Sequence, residues 1–127
     1  MSSAGHLERG RRGEQLAARF LQSRGYRIEQ ANIRFPVGEI DLVAWDNATL
    51  CFVEVRSASS LDWGGALASI TDRKRRRLIR AAQWYVQRAR PMSQALRFDV
   101  VAIQWQPDGR AAVELVQGAF DADGSWC

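Results

Sequence analysis

The chain has 127 residues, 46% of them hydrophobic and 25% charged, with a formal net charge of +4. That length supports one domain with one hydrophobic core, and the composition is that of a globular protein rather than a disordered one. No apolar run approaches the roughly 18 residues of a membrane span. The single histidine, His6, leaves serine–histidine, cysteine–histidine and histidine-rich zinc chemistry without their parts.

Residues 1–9 read as a tail and lack the apolar stretch of a secretory signal, which predicts a cytoplasmic protein. In RRGEQLAARFLQSR (11–24), Leu16, Ala17, Phe20 and Leu21 fall on one helical stripe that stops at Gly25. Strands are predicted for 26–35, which ends at Pro36, for GEIDLVAW (38–45) and for TLCFVEVR (49–56). The turn-like Asp46-Asn47-Ala48 separates the last two. SASSLDWGG (57–65) is a loop carrying Trp63, placed to enter a groove or to cap the core. A helix follows from an N-cap at Thr71 or Asp72 to Ala89, before Pro91, with Leu78, Ala81, Ala82, Tyr85 and Ala89 as its apolar stripe. Strands at 96–105 and 110–117, joined by a Pro107-Asp108-Gly109 turn, complete a single domain over 10–120, and 121–127 is a C-terminal tail. The order predicts a mixed sheet flanked by helices. Cys51, inside an apolar run, and Cys127, the last residue, form neither a natural disulfide pair nor a metal site.

The basic residues are 17 Arg and one Lys, and nine of them lie between Arg73 and Arg97 with no acid among them. Such an excess suits a polyanion, most directly a nucleic-acid backbone. Arg73, Arg76, Arg77 and Arg80 share one helix face, continued by Trp84, opposite the apolar stripe. A merely solvated face is the alternative, although such faces usually mix signs. Lys74, the only lysine, lies one turn before Leu78; it either aims at the sheet, to stand in for an active-site lysine or hold a phosphate, or lays its stem over the core edge.

Residues 38–56 carry the chemistry. A two- or four-residue reversal over 46–49 pairs residues whose numbers sum to 95, setting Asp41 opposite Glu54 and Glu39 opposite Arg56. Alternation then puts these four on one face and Ile40, Leu42, Val53 and Val55 on the other. Opposed carboxylates destabilise a hairpin. A divalent cation such as Mg²⁺ removes the conflict, taking one or two carboxylates with water and phosphate in its remaining positions. The alternative is a solvated strand pair with a Glu39–Arg56 salt bridge. Val43, Trp45 and Phe52 share the acidic face, however, and carboxylates among apolar side chains need a partner.

Asp41 followed by Glu54-Val55-Arg56 resembles the D…(E)-x-K signature of the PD-(D/E)xK nuclease superfamily. More closely, GRRGEQLAARFLQSRGY with GEIDLVAW and LCFVEVR looks like the UPF0102 (YraN-like) family, which is similar to archaeal Holliday-junction resolvases. The likeness runs from Gly10 to Asp99 and, more weakly, to Phe120. It implies an endonuclease-like three-layer α/β/α domain with a mixed four- to five-stranded sheet and core order αβββαβ. It further implies Mg²⁺- or Mn²⁺-dependent phosphodiester hydrolysis on DNA, branched DNA included, by a homodimer. By position, Asp41 and Glu54 match the metal ligands, and Glu14 matches an acidic residue on the first helix. A carboxylate favoured in a helix's first turn is the other reading of Glu14. Arg56 stands where the superfamily usually has Lys, and arginine cannot readily exchange a proton. Two further readings therefore stand beside the enzyme: an inactive nucleic-acid-binding module of the same fold, without need of a cofactor, and a factor presenting its basic helix to an acidic protein.

Overall fold

A computed structural model of the chain describes residues 3–59, 65–91 and 95–127, with side chains for 10–58, 67–91 and 95–127. Helix α1 (Ser3–Ser23) leads into strands β1 (Arg27–Phe35), β2 (Gly38–Asp46) and β3 (Thr49–Ser59). Short α2 (Gly65–Ala68) and long α3 (Asp72–Ala89) precede β4 (Ala95–Trp105) and β5 (Ala111–Phe120). The five strands form one sheet in chain order. Neighbours are antiparallel except β3 and β4, which run parallel over Thr49↔Ala95 to Ser59↔Trp105. A parallel pair needs a crossover, and α2 with α3 supplies it.

Helices cover both faces, giving the three-layer α/β/α arrangement. Ala17 and Leu21 of α1 pack with Leu42, Val53, Val101 and Ile103. Leu78, Ala81, Ala82 and Tyr85 of α3 pack with Ile40, Phe52, Phe98 and Val100 on the other side. Gly25, at φ 90, ends α1 where the sequence predicts, with the Tyr26 N–H donating to the Leu21 carbonyl. Thr71 is the cap of α3, its hydroxyl accepting from the Lys74 N–H at 3.2 Å. No helix among the described residues is long and apolar enough to cross a membrane.

Several details depart from the sequence reading. Helix α1 begins at Ser3 rather than 11, so Glu14 lies about three turns inside it. The first-turn explanation of Glu14 therefore does not hold. Strand β3 runs three residues past 56 because β4 pairs with it throughout, and the loop that follows contains the turn of helix α2. Trp63 lies outside the described residues. On α3, Ala89 is exposed while Arg75 and Ile79 are buried. Arg75 is taken inside because its Nε donates to the Gly124 carbonyl at 2.7 Å, its Nη1 to the Ile70 carbonyl at 2.7 Å, and its guanidinium lies 4.3 Å from the Trp126 ring centre. That contact depends on residues 121–127 turning back, with Trp126 bridging to Phe120.

Candidate active site

The β2–β3 hairpin closes through Asn47-Ala48, with Asn47 at φ 53, and its pairs sum to 95 as the spacing predicts. Pairing stops, however, at Leu42↔Val53. Asp41 and Glu54 occupy the next step, where the strands part. There the Asp41 carboxylate takes over a backbone role, its Oδ2 accepting the Val55 N–H at 2.8 Å.

The same step breaks the alternation. Ile40 packs in the α3-side core with Val43 and Phe52, whereas Leu42 packs in the α1-side core with Val53. The four apolar residues 40, 42, 53 and 55 thus do not share a face. The slip falls opposite Asn32 of β1, which is left-handed at φ 54 between the pairs Ala31↔Leu42 and Ile33↔Ile40. Nor does Glu39 face Arg56: it is exposed and pairs with Arg34 of β1 at 3.5 Å, because β3 no longer runs beside it.

Charges nevertheless converge on the parted strands. Burial pushes the Asp41 carboxyl up to about 6, with Glu14 and Glu39 adding to the rise and the Val55 N–H and Arg56 opposing it. Glu54, 16% exposed, is pushed up to about 8, first by burial and then by Asp41, against the pull of Arg56 and Lys74. The two titrate as a pair. Arg56 Nη1 lies 3.7 Å from Glu54 Oε1, and its Nε donates to Ser69 Oγ at 3.1 Å. Lys74 Nζ donates to the Ser69 carbonyl at 3.4 Å. Ser69, between α2 and α3, therefore anchors both cations that face Glu54. Sequence reasoning missed it, since only the fold shows that this turn lies beside β3.

Among the described residues no group of three or more His, Cys, Asp or Glu side chains could by itself hold a metal ion. Two hard carboxylates fit a cation that completes its shell with water and phosphate, and do not fit a closed zinc or calcium cage. The cysteines offer nothing here, Cys51 being buried and Cys127 exposed at the chain's end.

Arg73, Arg76, Arg77 and Arg80 all lie exposed on α3. Arg76 is held by Asp72 at 2.8 Å. Trp84 is no free stacking platform, since it packs 5.9 Å from Phe35 with the Arg88 guanidinium 4.1 Å from its ring centre.

A polar cluster that sequence reasoning also missed runs from Asp99, which pairs with Val53, to Asp46 at the turn of the hairpin. Asp99 is fully buried. It accepts from Tyr26 Oη at 2.8 Å, Arg97 Nε at 2.8 Å and the Gly118 N–H at 2.9 Å. Arg97 Nη2 also reaches Asp46 at 2.8 Å. An aspartate inside the apolar run of β4 was the available signal.

The sequence profile described as uncharacterised protein family UPF0102 matches residues 13–103, which contain the whole acidic cluster. The chain belongs to that family. A UPF0102 protein of Desulfosudis oleivorans is 46% identical over 114 residues, covering 90% of each chain. One from Symbiobacterium thermophilum is 45% identical over 113 residues, 89% of this chain and 96% of the relative. One from Pseudomonas fluorescens is 43% identical over 123 residues, covering 96% of this chain and all of its own. The resemblance read from GEIDLVAW and LCFVEVR thus reaches the intended family.

Proposed function

We propose that this UPF0102 protein is a divalent-metal-dependent, endonuclease-like phosphodiesterase that acts on DNA, branched DNA included. The observation that carries the reading is the half-buried pair Asp41 and Glu54, whose carboxyls stand above their ordinary range where two strands part. Two like charges held there destabilise the fold unless a cation joins them.

Asp41 and Glu54 would hold that cation, Mg²⁺ or Mn²⁺, through carboxylate oxygens. It would supply positive charge at a scissile phosphate and acidify water for the attack. The Val55 N–H fixes one Asp41 oxygen and so orients the carboxylate. Arg56, held by Ser69, offers a fixed guanidinium against negative charge developing on the phosphate. Lys74 adds a second cation from the first turn of α3, and Glu14 and Glu39 add negative charge that favours metal retention. Arg73, Arg76, Arg77 and Arg80 would take the backbone of the same nucleic acid.

The deciding experiment combines thermal unfolding in millimolar Mg²⁺ or Mn²⁺ with cleavage of junction, flap and single-stranded DNA. Wild type should gain stability and cut, and Asp41→Ala should do neither. No metal shift and no Asp41-dependent cutting would remove the enzyme reading. One observation favours a second reading, a binding module without catalysis: the position usually held by lysine is Arg56. That reading expects salt-sensitive binding that survives Asp41→Ala.

A further inference from the structure

Helix α1 packs against β1, β3 and β4 and leaves the edge strand β5 only partly covered. The α1-facing side chains of β5, Val113 and Leu115, and Trp105 on β4 are therefore half-buried. Between α1 and β5 runs a trough of two hollows, about 320 Å³ beside Trp105 and about 730 Å³ beside Phe20 and Leu115. It lies on the sheet face opposite α3.

Three exposed arginines, Arg12, Arg19 and Arg24, line the trough. Among the described residues none of them has a carboxylate partner. Arg12 lies 5.0 Å from the ring centre of Trp105, and Arg24 lies 4.8 Å from that of Phe20. Arg12 and Arg19 stand about 10 Å apart along the helix, from its rise per residue. The indole Nε1 of Trp105 is buried without an acceptor. Glu114 is an acid at the rim.

We propose that this trough binds single-stranded nucleic acid. Phosphates would draw the guanidinium groups off the rings, and unpaired bases would stack where the arginines now lie. A duplex keeps its base faces covered and cannot use the rings. A second copy of the chain is the poorer occupant, because it brings the same three arginines to the contact. The inference rests on the chain being a nucleic-acid binder but does not need the metal site, and it uses a face that the α3 arginines do not share.

The test is fluorescence anisotropy with a labelled oligothymidylate and with a duplex, on the full chain in EDTA, over roughly 50–200 mM salt. Replacing both Arg12 and Arg19 by Ala should weaken single-strand binding about ten-fold and flatten its log–log salt slope by about 1.4, at 0.7 per phosphate contact. Duplex affinity should hold in that variant and fall in the double variant Arg76→Ala, Arg80→Ala. Trp105→Phe keeps an aromatic core and should remove most of the tryptophan quenching that oligothymidylate causes. Unchanged single-strand affinity and slope in the Arg12, Arg19 variant would overturn the proposal. So would a sedimentation dimer that Leu115→Arg splits while single-strand affinity stays constant. Lack of metal-dependent cutting would count against the catalytic reading alone.

Discussion

Asp41 accepts the Val55 N–H at 2.8 Å, one step beyond Leu42↔Val53, the last backbone pair of the β2–β3 hairpin. A side chain thus completes the ladder that the parting strands abandon. The same bond constrains the carboxylate, so Asp41 is a structural hydrogen-bond acceptor and, on the proposed function, a metal-binding oxygen as well. Asp41→Ala removes both roles at once; Asp41→Asn keeps an acceptor for Val55 and removes only the charge. The asparagine variant should keep near wild-type stability while losing the metal-induced rise in Tm.

Stability should depend on pH with a definite sign. Both carboxyls are pushed above their ordinary range, Glu54 to about 8, chiefly by burial. The native chain then holds protons that the unfolded chain releases near pH 4. The pair's contribution is present in full below about pH 4 and is lost as pH rises toward about 8. Urea unfolding in EDTA should give a lower midpoint near pH 8 than near pH 5. Glu54→Gln should shrink that difference and raise stability at pH 8 by on the order of 1 kcal/mol. Saturating Mg²⁺ should lift the wild-type value at pH 8. Equal pH dependence in wild type and Glu54→Gln would refute this assignment.

Arg56 is fixed from two sides, by Ser69 at 3.1 Å and by Glu54 at 3.7 Å. Arg56→Gln removes the charge and leaves Glu54 with less opposition to its half-buried like-charged neighbour. Metal-dependent cleavage should fall at least about ten-fold in kcat/KM, the scale for losing a group that stabilises transition-state charge. Arg56→Lys returns an ammonium that can exchange a proton, and its cleavage rate should exceed wild type. If the lysine variant is as slow as the glutamine variant, the guanidinium's bond to Ser69 matters more than its charge.

The legible parts of this molecule were those decided by neighbours in sequence. The register of the hairpin followed from alternation and a two-residue turn, and Gly25 and Thr71 marked helix ends through local backbone chemistry. The slip at Asp41 was not legible, because it depends on Asn32 in a strand the hairpin pattern does not include. Arg75 looked like one more cation in a basic run, and its burial is decided by Gly124, 49 positions away. Ser69 had no pattern at all, since its role comes from the crossover that lays it beside β3.

The Asp99 cluster should separate stability from function. Tyr26, 73 positions away, donates to its carboxylate at 2.8 Å, and Arg97 and the Gly118 N–H satisfy its other oxygen. Asp99→Ala leaves Arg97 with Asp46 alone and takes the acceptor from the Tyr26 hydroxyl and the Gly118 N–H, at a cost of about 1–3 kcal/mol. Tyr26→Phe deletes one donor and should cost about 1 kcal/mol. Because Tyr26 Oη bonds Asp99, Arg97 and Gln117 rather than any residue of the Asp41–Glu54 cluster, Tyr26→Phe should keep the wild-type rise in Tm with Mg²⁺. Loss of that rise in Tyr26→Phe would mean the two clusters are coupled through β3.

Gly38, which opens the GEID segment, marks a close approach between β2 and α3. A Cβ there would stand 2.6 Å from the Arg77 carbonyl oxygen and 3.1 Å from its carbon, both backbone atoms inside a helix. Neither can rotate aside, so Gly38→Ala must move α3 or the start of β2, at about 1–3 kcal/mol. Movement of α3 carries Lys74 with it, and Lys74 is one of the two cations facing Glu54. Gly38→Ala should therefore lower Tm by several degrees and weaken metal-dependent cleavage together. Gly10→Ala is the control: a Cβ there meets nothing within 4 Å, and alanine inside a helix should stabilise by about 0.5–1 kcal/mol. Should Gly38→Ala melt with the wild type, α3 does not bear on β2 through this contact.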